Sequence, residues 1–260
     1  MIGETLLILK NKYNPPENGG FLIGEKMNEI YQRTSMLIGE EAVEKLKKSH
    51  VLIFGVGGVG SFCAEAIARA GVGKITLVDK DKVSRSNINR QLIALNSTVG
   101  EAKVKVMQKR IEDINPDIKV VAIEKFCLPE NVEEFFEEEI DYVIDAVDTV
   151  SAKLAIIETA KKKGIGIISA MGAGNKLNPQ DFQVADIYKT ENCPLCRVMR
   201  RELKKRGIDN LKVVYSKEEP TVLENIIDEE SNKKVPGSIS FVPSAMGLIL
   251  AGETIKDIIK

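Results

Sequence analysis

Short apolar runs alternate with helical stretches through the first two thirds of the chain. The runs VLIFGV, KITLVD, IKVVAIEKF, YVIDAVD and IGIISAMG are continuous, as expected of strands buried on both faces. Between them, SFCAEAIARAG, GEAKVKVMQKRIEDINP and SAKLAIIETAKKKG carry apolar residues at helical spacing, and the acidic stretch from Glu130 to Asp141 reads as a solvated helix. This alternation predicts an α/β fold with a doubly wound, mostly parallel, Rossmann-like sheet.

The two ends of the chain follow a different pattern. Residues 1–26 lack periodicity and contain Pro and Gly pairs, which predicts a loosely ordered extension, whereas Tyr31 to Lys48 has helical spacing. Beyond residue 174 the regular alternation stops, and we expect a strand at FQVADIY, a basic helix at RVMRRELKKRG, a charged loop over 217–237 and a closing helix at AMGLILAGETIKDIIK. We therefore predict a main domain over 27–174 and a crossover and basic-helix extension over 175–260 within the same globule.

Composition limits the class of protein. The 260 residues are 43% hydrophobic, enough for one sizeable core, and no run of eighteen apolar residues is present, so we expect a cytoplasmic protein without a membrane span. The four cysteines are expected to be thiols. The net charge of −1 is uninformative, but cations concentrate in RVMRRELKKRG. That helix is either a solvated surface or a surface for phosphate groups.

A glycine loop follows the first predicted strand and opens a helix. Gly55, Gly57 and Gly60, with Gly58 between them, form G-x-G-x-x-G in the context where the backbone binds phosphate or pyrophosphate. Asp79 ends the next strand, where a carboxylate accepts hydrogen bonds from ribose hydroxyls. The loop and Asp79 fit NAD, FAD and ATP equally well.

A dense set of polar side chains after Asp79 favours ATP and adenylation of a carboxylate. Attack of a carboxylate on the α-phosphorus expels pyrophosphate, so negative charge must be neutralised on both sides of that phosphorus. Arg90 and Lys103 suit this task, and Asp148 lies where it could hold Mg²⁺. Asp145 is interpreted as structural. The residues predicted to bind the nucleotide are Gly55, Gly57, Gly58, Gly60, Asp79, Asp81, Asn87 and Gln91.

Each of these residues also has a simpler explanation. Arg90 alone would suit a surface ion pair, Asp148 a helix cap and Asn87 a turn. Together, the GVGGVGS, D-x-D-x-V-x-x-S-N-x-N-R-Q, G-x-A-K and D-A-V-D elements occur in one order, which favours a shared site.

In residues 28–172 these motifs resemble the ubiquitin-activating superfamily, which includes the ThiF-type adenylyltransferases of thiamine and molybdopterin biosynthesis. The resemblance implies an ATP-binding adenylation domain that forms a homodimer, with Asp79 on the ribose and Asp148 on Mg²⁺. It further implies phosphate contacts from Asn87, Arg90 and Lys103, and a role for Arg33 at the phosphates of the neighbouring subunit's site.

The stretch from Gly172 to Gly207 resembles the tRNA threonylcarbamoyladenosine dehydratases within that superfamily. These enzymes adenylate the threonyl carboxylate of a modified adenosine next to the anticodon, which then cyclises with loss of water. The resemblance implies a tRNA substrate carrying threonylcarbamoyladenosine and a tRNA contact on the basic helix. His50 precedes a core strand and is interpreted as structural.

The cysteines keep other hypotheses open. Sulfur-carrier adenylyltransferases generally hold zinc with two C-x-x-C pairs, whereas this chain has only Cys193 and Cys196 at that spacing. Three hypotheses apply to this pair: it is redox active, it binds a metal between subunits, or it is inert. A sulfur-relay partner is a further hypothesis. No cysteine lies in GSISFVPSAMG, where some relatives carry one, so a thioester intermediate is in doubt. The alternative functions are adenylation of a ubiquitin-like sulfur carrier and NAD-dependent oxidoreduction.

Overall fold

The computed structural model describes residues 29–221 and 236–260. The predicted N-terminal extension therefore lies outside the described residues, as does most of the predicted loop over 217–237. The strands are β1 (His50–Phe54), β2 (Lys74–Val78), β3 (Lys119–Ile123), β4 (Tyr142–Asp145), β5 (Gly166–Ala170), β6 (Phe182–Asp186) and β7 (Lys212–Ser216). The α-helices are α1 (Gln32–Ile38), α2 (Glu40–Lys48), α3 (Gly60–Ala70), α4 (Lys103–Ile114), α5 (Val150–Lys162), α6 (Pro194–Lys205) and α7 (Phe241–Ile259).

The strands form one sheet in the order β3-β2-β1-β4-β5-β7-β6. Every neighbouring pair is parallel except β6 and β7, which are antiparallel. Because β1 pairs with β2 on one side and with β4 on the other, the chain reverses its direction of winding at β1. This strand order confirms the predicted doubly wound, mostly parallel sheet, and it creates a crevice at the carboxyl end of β1.

Alternate residues of β1 enter two cores on opposite faces of the sheet. Val51 and Ile53 pack in a cluster with residues of α3, α4 and α7, whereas Leu52 and Phe54 pack in a second cluster with residues of α5 and α6. All four side chains are fully buried. A strand with both faces covered needs an uninterrupted apolar sequence, which explains the run VLIF.

Two local predictions were wrong or incomplete. The acidic stretch is a short 3₁₀ segment over Val132–Phe136 rather than a solvated helix, because Phe135 and Phe136 are buried against Phe54. Strand β7 was not predicted, although its Val213 and Val214 are fully buried between β5 and β6. None of the helices in the described ranges combines the length and apolar composition that a bilayer crossing needs.

His50 has a structural role at the amino end of β1, away from the crevice. Its Nδ1 lies 2.7 Å from the carbonyl oxygen of Glu139, and its Nε2 lies 2.8 Å from the hydroxyl of Thr76. A carbonyl oxygen only accepts, so Nδ1 carries the proton and Nε2 accepts from Thr76. Burial lowers the pKa of His50 below its usual 6.5. The predicted structural interpretation agrees with these contacts.

Candidate active site

A cavity of about 750 Å³ lies at the carboxyl edge of the sheet, where β1, β2 and β4 end side by side. The amide of Gly55 donates to the carbonyl of Val78, and the amide of Ala146 donates to the carbonyl of Phe54, both at 2.8 Å. The predicted site residues that line this cavity are Gly55, Gly57, Gly58, Asp79, Asp81, Asn87, Arg90, Gln91, Lys103 and Asp148. The structure therefore brings most of the predicted site together.

The glycines of the loop serve different purposes. Gly55 has φ +88°, and a Cβ there would lie 2.6 Å from the carbonyl oxygen of Ala146. A Cβ on Gly60 would lie 1.8 Å from the carbonyl oxygen of Gly55, so Gly60 closes the loop although it does not line the cavity. No side chain among residues 29–221 and 236–260 caps the first turn of α3, which leaves amide groups for an anion.

The carboxylate of Asp79 connects two strand ends. Its Oδ2 accepts a hydrogen bond of 2.7 Å from the amide of Val56, and its Oδ1 accepts one of 2.8 Å from the amide of Asp81. Each carboxylate oxygen has a second lone pair, so Asp79 retains the capacity to accept ribose hydroxyls. The same contacts fix its side chain in the cavity wall.

Two cations face the cavity with different partners. Lys103 is buried and its Nζ lies 2.9 Å from Oδ2 of Asp81. Arg90 is half-buried, and its Nη1 donates to the carbonyl of Ser86 and to Oδ1 of Asn89, both at 3.0 Å. A guanidinium has five N–H donors, so Arg90 retains donors for an anion. No surface ion pair of Arg90 exists within the described residues.

The side-chain amides of Asn87 and Gln91 differ in their hydrogen-bond partners. Oδ1 of Asn87 accepts from the amide of Ser84 at 3.1 Å, which is a turn contact. Gln91 is 8% exposed, and its Oε1 has no hydrogen-bond partner among the described residues. A Cβ placed on Gly57 would lie 3.9 Å from Nε2 of Gln91. An unpaired buried acceptor beside the glycine loop is what a ligand that fills the cavity would satisfy.

Asp148 is an exposed carboxylate in the first turn after β4. Oδ1 accepts a hydrogen bond of 3.3 Å from the hydroxyl of Thr149, and no ion pair engages it within the described ranges. Those ranges contain no group of three or more metal-ligating side chains. Mg²⁺ is commonly held by one or two carboxylates plus phosphates, so Asp148 fits Mg²⁺ only together with a bound polyphosphate.

Several residues that line the cavity were not predicted from the sequence. The ammonium of Lys80 lies 4.2 Å above the ring of Phe126, and Lys125 pairs with Glu134. Lys80, Lys125 and Phe126 follow the ends of β2 and β3 and line the cavity. The general rule that ligands bind beyond strand carboxyl ends was the available signal, because Lys125 and Phe126 lie outside the motifs and Lys80 occupies an unspecified position within D-x-D.

The cysteines in the described ranges are free thiols and all are buried. Cys127 lines the cavity, and burial, reinforced by the charge of Asp145, raises its pKa to about 12. Hydrogen bonds from the thiol of Cys196 and from backbone amides, including that of Gly172, lower the pKa of Cys193 below its usual range. Cys127 is therefore a neutral thiol at neutral pH, and the three hypotheses for the pair remain open.

Arg33 is exposed on α1 and does not line the cavity of its own chain. Met36 and Leu37 follow it on the same helix and are 76% and 78% exposed. Single exposed apolar side chains are ordinary, whereas a cluster of them suits contact with another surface. A contribution of Arg33 to a site therefore requires a second subunit.

The glycine loop, Arg90, Lys103 and the exposed carboxylate of Asp148 meet at the carboxyl ends of the strands, the arrangement of an adenylating α/β protein. The sequence matches the ThiF family over residues 31–260, and the chain belongs to that family. It is 47% identical over 240 residues to the tRNA threonylcarbamoyladenosine dehydratase of Bacillus subtilis, covering 88% of this chain and 94% of the relative.

Solved structures agree with this assignment. The Escherichia coli tRNA N6-threonylcarbamoyladenosine dehydratase in complex with ATP superposes with a TM-score of 0.81 at 33% identity, covering 92% of this chain and 97% of that one. The same enzyme in complex with AMP superposes with a TM-score of 0.82 at 32% identity and the same coverage. The predicted fold and family resemblance are thereby confirmed.

Proposed function

We propose that this chain is an ATP-dependent tRNA threonylcarbamoyladenosine dehydratase. The observation that carries the proposal is the meeting of the glycine loop, Arg90, Lys103 and Asp148 in one cavity, in a chain that matches such dehydratases along nearly its full length. The cavity defines the adenylation chemistry. The relatives define the substrate, a modified adenosine in tRNA.

In this proposal the nucleotide occupies the cavity with its phosphates on the glycine loop and its ribose near Asp79. Lys103 holds an Asp81 carboxylate that is itself half exposed, so phosphate oxygens can compete for its ammonium. Arg90 supplies its remaining donors to the α-phosphate. A magnesium ion held by Asp148 and the phosphates would neutralise charge on the leaving pyrophosphate.

The chemistry has two steps. First, a threonyl carboxylate oxygen bonds to the α-phosphorus and the bond to pyrophosphate breaks, which leaves an acyl adenylate. Second, an atom of the carbamoyl group of the same side chain attacks the activated carbonyl carbon, loses a proton and expels AMP. The nucleoside thus loses the elements of water, and the oxygen of that water leaves in AMP. Neither step needs a thiol, consistent with the neutral Cys127.

Purified protein, ATP, Mg²⁺ and tRNA carrying threonylcarbamoyladenosine test the proposal. Mass spectrometry of the digested tRNA should detect a nucleoside lighter by one water, with AMP and pyrophosphate formed in equal amounts. If that nucleoside stays unchanged while NADH binds or a ubiquitin-like carrier is adenylated, the proposal is wrong.

We further propose a homodimer in which Arg33 acts at the partner's cavity. Arg33→Ala and Arg90→Ala should each be inactive as pure dimers. Random mixing produces half heterodimers, each with one intact site, so about a quarter of wild-type activity should return. Full activity of Arg33→Ala alone would mean that Arg33 has no role, and no activity on mixing would mean that it acts within its own subunit.

We also propose that the outer face of α6 contacts tRNA. Its inner face buries Met199 and Leu203, while Arg197 and Lys204 point outward and form no ion pair within the described residues. Glu202 pairs with three neighbouring cations, namely Arg201, Lys205 and Arg206, and Arg206 also pairs with Glu158. Leu195, in the first turn, lines the cavity, so the helix connects this basic surface to the site.

Charge reversal tests this surface. The double variant Arg197→Glu, Lys204→Glu should weaken tRNA binding. It should also reduce the magnitude of the negative slope of log affinity against log salt concentration by about 1.5. Lys105→Glu with Lys109→Glu on α4, across the sheet, is the matched control and should leave that slope nearly unchanged. Equal effects of the two variants would assign the binding to overall charge.

A further inference from the structure

A fully buried ion pair lies directly beneath the cavity. Nζ of Lys153, in the first turn of α5, is 2.9 Å from Oδ2 of Asp145, the last residue of β4, and both side chains are 0% exposed. Taking two charges out of water is expensive, and an apolar pair of similar volume is often as stable. A buried ion pair therefore needs an explanation beyond stability.

The hydrogen bonds of this pair converge on the backbone of one residue, Val147. Nζ of Lys153 donates to the carbonyl oxygen of Val147 at 3.0 Å, and Oδ1 of Asp145 accepts from the amide of the same Val147 at 3.3 Å. Ser169, opposite Asp145 on β5, donates its hydroxyl to Oδ2 of Asp145 at 2.5 Å. The pair thus holds both polar groups of Val147, which an apolar pair cannot do.

Val147 lies in the turn that presents Asp148 to the cavity. On its other side this turn packs against the glycine loop, because the carbonyl of Ala146 would lie only 2.6 Å from a Cβ on Gly55. The amide of Ala146 also donates to the carbonyl of Phe54 at 2.8 Å. A shift of the turn would move Asp148 relative to the phosphate-binding backbone, which the strand ends hold in place.

We propose that Lys153 and Asp145 are positioning residues that fix Asp148 relative to the glycine loop. Neither side chain lines the cavity, so they act through the 146–148 turn. This inference rests on the proposed function, since it assigns Asp148 to the metal-bound phosphates. It also gives Asp145, interpreted from sequence as merely structural, a defined task at the site.

The test uses Lys153→Met, which keeps the length and apolar stem of the side chain and removes its donors. Ile157→Ala is the matched control, because Ile157 is fully buried in the core under the same helix and its truncation leaves a cavity without removing a hydrogen bond to Val147. Binding of ATP is measured by calorimetry with and without Mg²⁺, and kcat and KM for ATP are measured on the modified tRNA.

Without Mg²⁺, Lys153→Met should bind ATP within about threefold of wild type. With Mg²⁺, its affinity for ATP should fall at least about tenfold, KM for ATP should rise accordingly, and kcat should fall about 100-fold. Ile157→Ala should keep both the Mg²⁺ response and kcat. Ser169→Ala, a milder change, should also lower the Mg²⁺-dependent affinity for ATP and kcat. This variant provides the test if Lys153→Met does not fold.

Two results overturn the inference: a normal Mg²⁺ response in Lys153→Met, or equal losses in Lys153→Met and Ile157→Ala at equal thermal stability. If Lys153→Met does not fold, a normal Mg²⁺ response in Ser169→Ala overturns it as well. The calorimetry needs no tRNA, so failure of the proposed substrate is distinguishable from failure of the positioning role.

Discussion

The glycine loop should respond to single alanine substitutions in two distinct ways. Gly55→Ala places a side chain at φ +88° and 2.6 Å from the carbonyl oxygen of Ala146. Gly57→Ala has no positive φ and meets only Nε2 of Gln91, at 3.9 Å. The first change strains the fold, whereas the second places a methyl group where the nucleotide phosphates are proposed to lie.

The magnitudes follow from these contacts. The left-handed backbone costs about 1–2 kcal/mol for alanine and the backbone overlap about 1–3 kcal/mol, so Gly55→Ala should lose about 2–5 kcal/mol. For a chain of this size that lowers Tm by about 4–20 °C. Gly57→Ala should stay within about 0.5 kcal/mol of wild type and lose about tenfold or more in ATP affinity.

The assay is thermal unfolding followed by circular dichroism, paired with calorimetric titration of ATP. Gly58→Ala is a further comparison, since its Cβ meets side chains of Pro243 and Arg90 at 3.3–3.4 Å rather than backbone. The reasoning is refuted if Gly57→Ala and Gly55→Ala lose the same Tm, or if Gly57→Ala binds ATP as tightly as wild type.

Further predictions concern catalysis and pH. Arg90→Ala and Asp148→Ala should each lower kcat about 10²–10³-fold, because both side chains are proposed to stabilise developing charge. Tm should be nearly unchanged, because both side chains lie outside the core. Full activity in either variant would mean that the phosphates lie elsewhere. Burial lowers the pKa of His50 in the folded protein, so as the pH falls this side chain is protonated in the unfolded chain before it is protonated in the folded one. The stability due to neutral His50 is therefore present above about pH 6.5 and is lost below it. Urea titrations between pH 7.5 and 5.5 should show a steeper loss for wild type than for His50→Gln, and equal slopes would contradict this.

Strand positions were predictable because a doubly wound sheet demands apolar runs, and β1, β2, β4 and β5 all show them. Strand β7 was missed because only Val213, Val214 and Tyr215 form a continuous apolar run, between Lys212 and Ser216. The acidic stretch was wrongly predicted as a solvated helix because its seven exposed carboxylates dominate the sequence pattern, although Phe135 and Phe136 between them are buried.

Much of the candidate site was predictable because its motifs immediately follow strand ends. The sequence could not reveal that Lys125 and Phe126 join the cavity, because that depends on β3 lying beside β2. It also could not reveal that Lys153 is buried against Asp145, since a lysine in an α-helix is ordinarily solvated. Spatial neighbours without a shared motif need the three-dimensional fold.

The central claim is that a carboxylate of the modified tRNA nucleoside is adenylated. It is tested most directly with substrate whose threonyl carboxylate carries ¹⁸O in both positions, followed by mass spectrometry of the released nucleotide and of the nucleoside. The mechanism predicts AMP with one ¹⁸O and a cyclised nucleoside that keeps the other. Unlabelled AMP, or ADP and phosphate in place of AMP and pyrophosphate, would contradict adenylation of that carboxylate.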